Sequence, residues 1–425
     1  MKVLLVGNGG REAAIAWKLS QSSKVEKLFI APGNGGTGKY GENLNIAVTD
    51  IAGLKKFVLD NKIDLTVVGP EVPLTMGIAD EFESAGLKVF GPSKEGAKLE
   101  GSKDFSKKIM EKYGIPTAAY QTFEKHQYEE AISYIDKQGA PIVIKADGLA
   151  AGKGVVVAMT VQEAKDAVTD IMQSMVFGDS NTRVVIEEFM DGEEASILAF
   201  TDGKKIVPMV SSQDHKRAYD GDQGPNTGGM GTYSPAPVVT DEVAKKAYDK
   251  VLLPMMEALN KEGIDYRGVL YAGLMIKNGE PKVVEFNARF GDPETQVVLP
   301  RLKTDLADIF VAVADRKLSD INIEWYDNAA VCVVLASGGY PAEYENGKEI
   351  TGIEEAEKAG LMVFHAGTEE KNGKVLTKGG RVLNVTAVGD SIEGAIKNVY
   401  DNIEKISFDK MFFRKDIAHR AINRK

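Results

Sequence analysis

Short β-rich runs alternate with helix-like stretches through the first hundred residues, and this rhythm constrains the fold more than any other feature of the chain. The runs are VLLVG, KLFIAPG, DLTVVGPE and KVFGPS, and the helix-like stretches include Arg11–Ser20 and Thr75–Ala85. Repeated strand–helix–strand units build a parallel sheet with crossover helices. The N-terminal part is therefore predicted to be an α/β domain whose ligand-binding loops lie at the carboxyl ends of the strands.

The remaining length requires further domains. With 425 residues, of which 43% are hydrophobic, the chain is too long for one compact core and apolar enough for several, so two to four domains are expected. The N-terminus MKVLLVGNGG is typical of a first strand rather than of a signal peptide, and no stretch approaches the ~18 apolar residues of a membrane span. We expect a cytoplasmic protein with no membrane partner.

Charge and cysteine content exclude two kinds of site. The formal net charge of −10 argues against a basic face that would bind a polynucleotide, so nucleic acid is not expected as a partner. The single cysteine, Cys332, lies in the apolar run AAVCVVLASGG and is interpreted as a core residue. One cysteine rules out an intramolecular disulfide and a cysteine-rich metal site.

A second module begins near Gly101. It contains a lysine-bearing helix (SKDFSKKIMEKYG), the strand PIVIKAD, a glycine-rich loop, the strand VVVAM, a helix over Thr160–Ser174 and the strand RVVIEEF. This mixture predicts an α+β fold. Residues 211–237 follow, with five glycines and no apolar periodicity. A long stretch without regular structure is either disordered or functional, and its aromatic and charged residues favour function.

Two Asn-Gly pairs mark turns in the second half of the chain. Asn278-Gly279 joins two alternating strands and predicts a type I′ hairpin, which is followed by a helix at about Thr304–Lys317. The tail from Asn328 contains the strands AAVCVVLAS, MVFHAGT and RVLNVTAV and a second turn at Asn372-Gly373. We expect three domains, at 1–101, at 102–325 with a lid subdomain at about 122–190, and at 326–425.

The motif GNGGRE at residues 7–12 follows a strand and opens a helix, so its backbone N–H groups could hold an anion. Glu12 stands where a dinucleotide-binding fingerprint has its third glycine. The second strand ends in APG without a carboxylate for a ribose. A nicotinamide cofactor is therefore disfavoured, and the motif is either a tight turn or a site for another anion.

A second glycine-rich segment, Asp147–Gly154, lies between two strands. Its small residues let the backbone close over phosphate oxygens, and Lys153 can add charge. It is not a Walker A loop, because no Ser or Thr follows the lysine and no helix begins there. Alone it would be interpreted as a flexible hairpin. Lys145 changes this interpretation, because a lysine on a mostly buried strand requires an anionic partner.

Acidic residues cluster where the strand RVVIEEF ends, at Glu187, Glu188, Glu193 and Glu194. Such a cluster is normally a solvated loop. Where a chain leaves a strand, however, its exposed backbone can read the edge of an adenine, and a carboxylate a few residues later can accept both ribose hydroxyls.

The segment VVEFNARFGDPETQ carries the most specific pattern. Glu285, Asn287 and Arg289 alternate with apolar residues, which predicts three polar side chains on one strand face. A carboxylate and an amide oxygen are suitable ligands for Mg²⁺, and the arginine can clamp a phosphate or carboxylate. The alternative is a solvent-facing polar stripe on an edge strand. The conjunction with the lysine, the glycine loop and the acidic cluster favours the metal site.

The order of these elements resembles the ATP-grasp superfamily. Six segments are similar to motifs of the phosphoribosylamine–glycine ligases: GNGGRE, GPEVPL, IKADGLAAGKG, SSQDHKR, GPNTGGMG and EFNARFGDPETQ. The similarity extends to FHAGT and FRKDIAHRAI in the tail. It implies an N-terminal parallel-sheet (pre-ATP-grasp) domain, an ATP-grasp module with a glycine-loop lid, and a small C-terminal α+β domain.

The resemblance also implies roles for individual residues. ATP would contact Lys103, Lys145, Gly152, Lys153, Gly154, Glu187, Glu188, Phe189, Met190 and Glu194. The substrates would contact Asn8, Gly9, Gly10, Glu71, Asp214, Asn226, Thr227, Arg289, Asp292 and Glu294. Catalysis would depend on Arg289, Lys145 and Asp214, and the metal, Mg²⁺ or Mn²⁺, would bind Glu285 and Asn287. Ala13 and Ala288 depart from the family pattern, which has a histidine and a cysteine there.

The implied reaction joins glycine to 5-phosphoribosylamine at the expense of ATP, through glycyl phosphate, in de novo purine biosynthesis, and we expect a monomer. Two alternatives stay open: another ATP-grasp carboxylate–amine ligase or carboxylase, and a non-catalytic nucleotide-binding regulatory protein. Of the four histidines only His215 lies in a candidate site, and no Ser/His/Asp or Cys/His nucleophile set is present.

Overall fold

The computed structural model of the protein describes residues 1–149, 154–173, 183–422 and 424. Its N-terminal part is a five-stranded sheet in the order β3-β2-β1-β4-β5, and every pairing in it is parallel. The strands are β1 (Lys2–Gly7), β2 (Lys27–Pro32), β3 (Glu42–Asn43), β4 (Leu65–Val68) and β5 (Val89–Phe90). The predicted parallel α/β domain is confirmed.

Five helices accompany this sheet: α1 (Gly10–Leu19), α2 (Ile51–Asn61), α3 (Glu71–Met76), α4 (Ile78–Ser84) and α5 (Lys94–Gly101). The single helix predicted over Thr75–Ala85 is instead α3 and α4. The break lies at Gly77, whose φ of 95° is a left-handed conformation that ends one helix and redirects the chain into the next.

The second unit is an antiparallel sheet in the order β6-β9-β7-β8. Its strands are β6 (Tyr120–Phe123), β7 (Ile142–Ala146), β8 (Val155–Ala158) and β9 (Val184–Glu188). Helices α6 (Lys103–Tyr113), α7 (Tyr128–Gln138) and α8 (Val161–Met172) belong to the same part of the chain. The apolar faces of α7 and α8 share one core with this sheet. We call the sheet together with these two helices the flap.

A second antiparallel sheet has the order β11-β10-β16-β17. Its strands are β10 (Glu193–Thr201), β11 (Ile206–Pro208), β16 (Gly268–Lys277) and β17 (Glu280–Asn287). Helices α9 (Asp241–Ala247) and α10 (Leu253–Lys261) are joined by a π-helical segment at Tyr248–Leu252. At the turn between β16 and β17, Asn278 has φ 53° and Gly279 has φ 73°. Positive φ at both positions confirms the type I′ hairpin.

The third large sheet has the order β12-β15-β18-β22-β19, with β23 paired to β18. Its strands are β12 (Gln213–Asp214), β15 (Gly231–Ser234), β18 (Ala329–Ser337), β19 (Met362–His365), β22 (Arg381–Gly389) and β23 (Met411–Phe412). Two hairpins lie apart from it, β13 (Arg217–Tyr219) with β14 (Gln223–Asn226) and β20 (Thr368–Lys371) with β21 (Lys374–Thr377). The helices are α11 (Thr295–Val298), α12 (Leu306–Ala314), α13 (Ile353–Lys358), α14 (Ile392–Tyr400) and α15 (His419–Ile422).

This sheet corrects the expectation that residues 211–237 lack regular structure. The segment holds β12, β13, β14 and β15, each of two to four residues. Such strands are too short to show apolar periodicity, and β15 is stabilised by pairing with β18, about a hundred residues later in the chain. Because β12 and β15 share a sheet with the tail, the boundaries 1–101, 102–325 and 326–425 stay a proposal.

One hydrophobic core joins the parallel sheet to the sheets that contain β10 and β18. It contains Leu5 of β1, Phe200 of β10, Phe310 of α12 and the fully buried Cys332 of β18, which confirms the cysteine as a core residue. The three domains therefore share one core.

Among the residues that the structure describes, we find no helix with the length and apolar character that a membrane crossing needs.

We predict that Phe310→Ala lowers the free energy of unfolding by about 3–5 kcal/mol, because it removes a fully buried ring and leaves a cavity. The ring of Phe310 lies 4.2 Å from that of Phe90 and 6.1 Å from that of Phe290, so the cavity opens where the domains meet. Equilibrium urea unfolding measures the loss. The control Leu59→Ala, at a half-exposed position, should stay within about 0.5 kcal/mol of wild type. Equal effects of the two changes would contradict a shared core at Phe310.

Candidate functional site

A cleft of about 480 Å³ opens between the parallel sheet, the flap and the two other sheets. Its lining includes most of the residues that the sequence singled out: Glu71, Lys103, Lys145, Gly154, Glu187, Glu188, Phe189, Met190, Glu194, Asp214, Asn226, Thr227, Glu285, Asn287, Arg289, Asp292 and Glu294. They come from segments more than 200 residues apart, and the fold brings them to one place. Gly152 and Lys153 lie outside the described residues.

Asn8, Gly9 and Gly10 do not line this cleft within the described residues. The N–H of Gly9 donates to Glu12 Oε2 at 2.6 Å, and the N–H of Arg11 donates to Asp292 Oδ2 at 3.0 Å. Two amides at the start of α1 therefore already hold carboxylate oxygens of the protein. Glu12 has room for this position because residues 7 and 69 are glycines. Any side chain at Gly7 or Gly69 would collide with the side chain of Glu12. A substrate role for residues 8–10 stays a prediction.

The cationic side of the cleft is built on α6 and β7. Lys145 Nζ lies 2.9 Å from Glu187 Oε1 and donates to the carbonyl of Val284 at 3.1 Å. The anionic partner that a lysine on a buried strand requires is therefore present. Lys103, in the first turn of α6, donates to the carbonyl of Gly148 at 2.9 Å, and burial lowers its pKa. Both ammonium groups lie at the wall where the glycine-rich segment begins.

Glu187 is less exposed than its predicted role suggests. Its side chain is 2% exposed and forms a second ion pair, with Lys107 Nζ at 2.9 Å. Only its backbone is then available to a ligand at the strand end. Lys107 itself was not singled out from the sequence, although it follows Lys103 by four residues and so lies on the same face of α6.

The end of β17 differs from the predicted pattern. Glu285 and Asn287 pair with Gly273 and Tyr271 and share one face of the strand, but the strand ends at Asn287, so Arg289 lies beyond it. Arg289 Nη2 contacts Glu100 Oε1 at 2.7 Å and donates to Asn287 Oδ1 at 3.2 Å. Arg289 therefore reaches the cleft because an ion pair directs it there, and strand alternation was the wrong reason.

Glu100 is a second residue that the sequence did not reveal. Its Oε2 accepts a hydrogen bond from the N–H of Ala288 at 2.8 Å, while its Oε1 holds Arg289. Burial raises the pKa of Glu100, and the nearby Arg289 opposes that shift. Helix α5 thus fixes both the backbone and the guanidinium next to the candidate metal ligands.

Glu285 has the electrostatic setting of a metal ligand. Burial opposes its ionisation, but Lys216, Lys145 and Lys103 together lower its pKa, so it is a carboxylate at neutral pH. In the described part of the chain it accepts no hydrogen bond, and no group of three or more His, Cys, Asp or Glu residues is placed to hold a metal ion. The donor set of one carboxylate and one amide therefore suits a cation that takes its other oxygens from a ligand and water.

A second part of the cleft lining, here called the acidic wall, contains Asp214, Glu194 and Glu294. Burial raises the pKa of Asp214 to about 7, and Lys216 offsets part of that shift. Glu294 accepts a hydrogen bond from the hydroxyl of Tyr271 at 2.8 Å. Glu194 pairs with Lys216 Nζ at 2.6 Å, which lowers the pKa of Glu194. At neutral pH, part of this wall can accept a proton.

His215 is not part of the cleft, contrary to expectation. It is fully buried, its Nε2 accepts a hydrogen bond from the N–H of Ala418 at 3.0 Å, and its ring packs beside Tyr233. Burial lowers its pKa to about 4, so it is neutral at physiological pH. Its neighbours in sequence, Asp214 and Lys216, line the cleft. Successive side chains of an extended segment point to opposite sides, so the side chain of His215 points into the core.

The C-terminal domain contributes Arg381, which the sequence analysis also missed. Its Nη1 lies 3.4 Å from Asp292 Oδ1 and donates to the carbonyl of Gly228 at 2.7 Å. Arg11 and Lys216 reach the cleft as well. For Lys216 the signal was its place in the SSQDHKR motif, whereas nothing near Arg381 in the sequence points to a partner about 90 residues away.

Comparison with known families matches three successive models, all of phosphoribosylglycinamide synthetase. The N domain matches residues 1–100, the ATP-grasp (A) domain residues 101–295, and the C domain residues 330–420. Two relatives named phosphoribosylamine–glycine ligase, from Escherichia coli (strain K12) and Vibrio parahaemolyticus, are 53% and 52% identical to this chain. Each alignment covers 100% of this chain and 99% of the relative.

A solved structure leads to the same family. The phosphoribosylamine–glycine ligase of Thermotoga maritima is 36% identical, with a TM-score of 0.85 over 98% of this chain and 100% of the other. The biotin carboxylase domain of Hydrogenobacter thermophilus 2-oxoglutarate carboxylase, at 14% identity, has a TM-score of 0.73 over 97% of this chain and 91% of its own, which shows a shared fold alone. Because the family models follow one another along most of the sequence and the relatives match it from end to end, the chain belongs to the phosphoribosylglycinamide synthetase family.

Proposed function

We propose that the chain is an ATP-dependent ligase that joins glycine to 5-phosphoribosylamine, giving glycinamide ribonucleotide, ADP and phosphate, in de novo purine (IMP) biosynthesis. The observation that carries this proposal is the match to the N, ATP-grasp and C domains of one synthetase, in order, together with full-length relatives at 52–53% identity. A carboxylate is a poor electrophile at neutral pH, so ATP first converts glycine to glycyl phosphate, which the amine then attacks.

The cationic wall fits the phosphates of ATP. Lys103 and Lys145 are held at fixed positions by Gly148, Val284 and Glu187 and face the cleft. Ammonium groups fixed in advance can offset charge that develops on a transferring phosphoryl group. We assign the backbone from Glu187 to Met190 to the adenine, Glu194 to the ribose, and Gly152, Lys153 and Gly154 to a lid over the phosphates.

We propose that Glu285 and Asn287 hold Mg²⁺ or Mn²⁺. When bound, this ion would supply positive charge at the phosphate oxygens of ATP. The protein's part is to keep Glu285 ionised, which the three neighbouring lysines do, and to orient the Asn287 amide, whose oxygen accepts from Arg289. Arg289 is held by Glu100 and can bind a phosphate or carboxylate oxygen as the reaction proceeds.

The acidic wall fits the amine chemistry. The pKa of Asp214, raised to about 7 by burial, allows this carboxylate to accept a proton from an attacking amine near neutral pH. Glu294 lies with it in the cleft and has a fixed orientation through Tyr271. We assign Glu71, Asn226, Thr227 and Asp292, with residues 8–10, to the sugar and phosphate of the second substrate.

We further propose that the protein acts as a monomer in the cytoplasm. Every group assigned above belongs to one chain, and residues of all three domains line the cleft. Its substrates are small molecules, and ATP is available in the cytoplasm. Light scattering of the purified protein would test the monomer directly.

The proposed reaction predicts ADP release that depends on glycine. With phosphoribosylamine generated in place, ADP should form with glycine and fall to background with alanine, acetate or no acid. ADP formation that is equal for several small acids would contradict the glycine assignment and leave a broader ATP-grasp ligase. Complete absence of ADP formation, with ATP still bound, would favour a regulatory nucleotide-binding protein.

We predict that Glu285→Ala lowers kcat by roughly 10² or more, at ~1.4 kcal/mol per decade, because charge at the transferring phosphoryl group is misplaced. ATP binding should change less, since the contacts from Glu187 to Glu194 are untouched. Calorimetry and a Mg²⁺ titration of turnover separate the two effects. The matched control is Glu280→Ala on the same strand, where the carboxylate is exposed and should be dispensable. Wild-type turnover of Glu285→Ala at all Mg²⁺ concentrations would move the metal elsewhere.

We predict that Asp214→Asn lowers turnover by at least about 10²-fold, since an amide accepts no proton. The same change should raise stability in a pH-dependent way. The folded-state pKa of Asp214 is about 7, above its value of ~3.9 in an unfolded chain, so its contribution to stability is full below pH ~4 and is lost as pH rises through about 7. The thermal midpoint of the variant relative to wild type should therefore increase from pH 5 to pH 8. A difference that is flat with pH would mean that Asp214 titrates normally.

A further inference from the structure

Lys107 is a buried cation beside Glu187 and Lys145, and the proposed mechanism does not use it. Its side chain is 2% exposed, and its Nζ contacts Glu187 Oε2 at 2.9 Å, Thr117 Oγ1 at 2.9 Å and the carbonyl of Ala118 at 3.4 Å. Thr117 and Ala118 accept its hydrogen bonds, and Glu187 forms an ion pair with it. Lys107 lies at the lining of the cleft, but so little of its side chain is exposed that most of its surface is closed to a ligand.

Glu187 connects this lysine to the cleft. Its two oxygens are divided between two ammonium groups, Oε2 on Lys107 and Oε1 on Lys145, both at 2.9 Å. Glu187 lies opposite Val143 and Lys145 opposite Val185, so the two side chains are diagonal neighbours on one face of the β7–β9 pair. The arrangement is a buried Lys–Glu–Lys triad with a formal charge of +1.

The contact of Glu187 with Lys145 is an ion pair without hydrogen-bond geometry, because Oε1 has no hydrogen-bond partner in the described residues. Lys145 Nζ donates in good geometry to the carbonyl of Val284. It therefore keeps donors that a phosphate oxygen could accept. Burial lowers the pKa of Lys107 to about 8, which leaves it mainly charged at neutral pH.

We propose that Lys107 is a positioning residue for ATP: by sharing the Glu187 carboxylate, it prevents Lys145 from forming a closed ion pair and leaves Lys145 available to the phosphates. Without Lys107, Glu187 and Lys145 would form a closed neutral pair, and the triad would lose the formal charge of +1 that helps to attract a polyanion. The inference rests on the proposed use of ATP but not on the identity of the acid or the amine.

The test is ATP affinity, measured by calorimetry in the absence of the other substrates. Lys107→Met, which keeps the length and removes the charge, should raise the Kd of ATP by at least about tenfold. The affinity of Lys107→Met for adenosine, which has no phosphates, should be less than about twofold below that of wild type. Thr117→Val removes a neutral contact of Lys107 and should leave the Kd of ATP unchanged.

Charge compensation supplies the second arm. Lys107→Met combined with Glu187→Gln restores a formal charge of +1 on Lys145 and should recover most of the ATP affinity that Lys107→Met loses. Glu187→Gln alone removes the negative charge of the triad and should not weaken ATP binding, whereas loss of a residue needed only for packing would weaken it. This single variant also decides the question if Lys107→Met does not fold.

Three results would overturn the proposal. They are equal losses for ATP and adenosine in Lys107→Met, no recovery in the double variant, or a tenfold weaker Kd of ATP in Glu187→Gln. Because only ATP and adenosine are used, a failure here leaves the glycine dependence of turnover unaffected, and the two questions can be separated.

Discussion

The cleft depends on one electrostatic constraint, which is that charges withdrawn from water between the domains must be compensated by other charges of the protein. An uncompensated buried charge costs several kcal/mol, more than a domain can lose from its net stability without consequence. The structure meets the constraint with ion pairs: Lys145 with Glu187, Arg289 with Glu100 and Arg381 with Asp292. Each pair fixes a side chain that lines the cleft.

These pairs also explain why three domains are needed for one site. Asp292 follows the ATP-grasp sheet, yet it accepts from the N–H of Arg11 at the start of α1 and lies beside Arg381 of β22. Three domains therefore meet at one carboxylate. The hydrophobic core beneath combines residues of β1, β10, α12 and β18, so the domains cannot separate at this point without exposing apolar surface.

Much of this could be predicted from the sequence where the relevant physics is local. The parallel sheet followed from the strand–helix rhythm, the hairpin from Asn278-Gly279, and the anionic partner of Lys145 from the cost of burying a lysine. Most of the site residues were identified through the family resemblance, and their roles stay proposals. The failures share a cause. Arg289, Lys107 and Glu100 are positioned by partners from other segments, and no local pattern encodes those contacts.

His215 is a second example in which local sequence did not predict a side-chain position. It sits between two cleft residues, and the motif alone suggested a functional histidine. The pairing of β12 with β15, and Ala418 from the tail, decide that its ring points into the core. Sequence proximity to a site therefore predicted the segment but not the direction of the side chain.

The lining of the cleft carries both cationic and acidic side chains, and this mixture constrains how the proposed substrates can lie. Phosphates of ATP are attracted to Lys103 and Lys145, whereas an ammonium or amine is attracted to Asp214 and Glu294, which line the same cleft. Glu285 also lines the cleft, and the neighbouring lysines keep it ionised. Glycine carries both signs, so its carboxylate would turn toward the phosphates and its ammonium toward the acids. The same field that binds the substrates would thus present the carboxylate to the γ-phosphate in the orientation that the first chemical step requires.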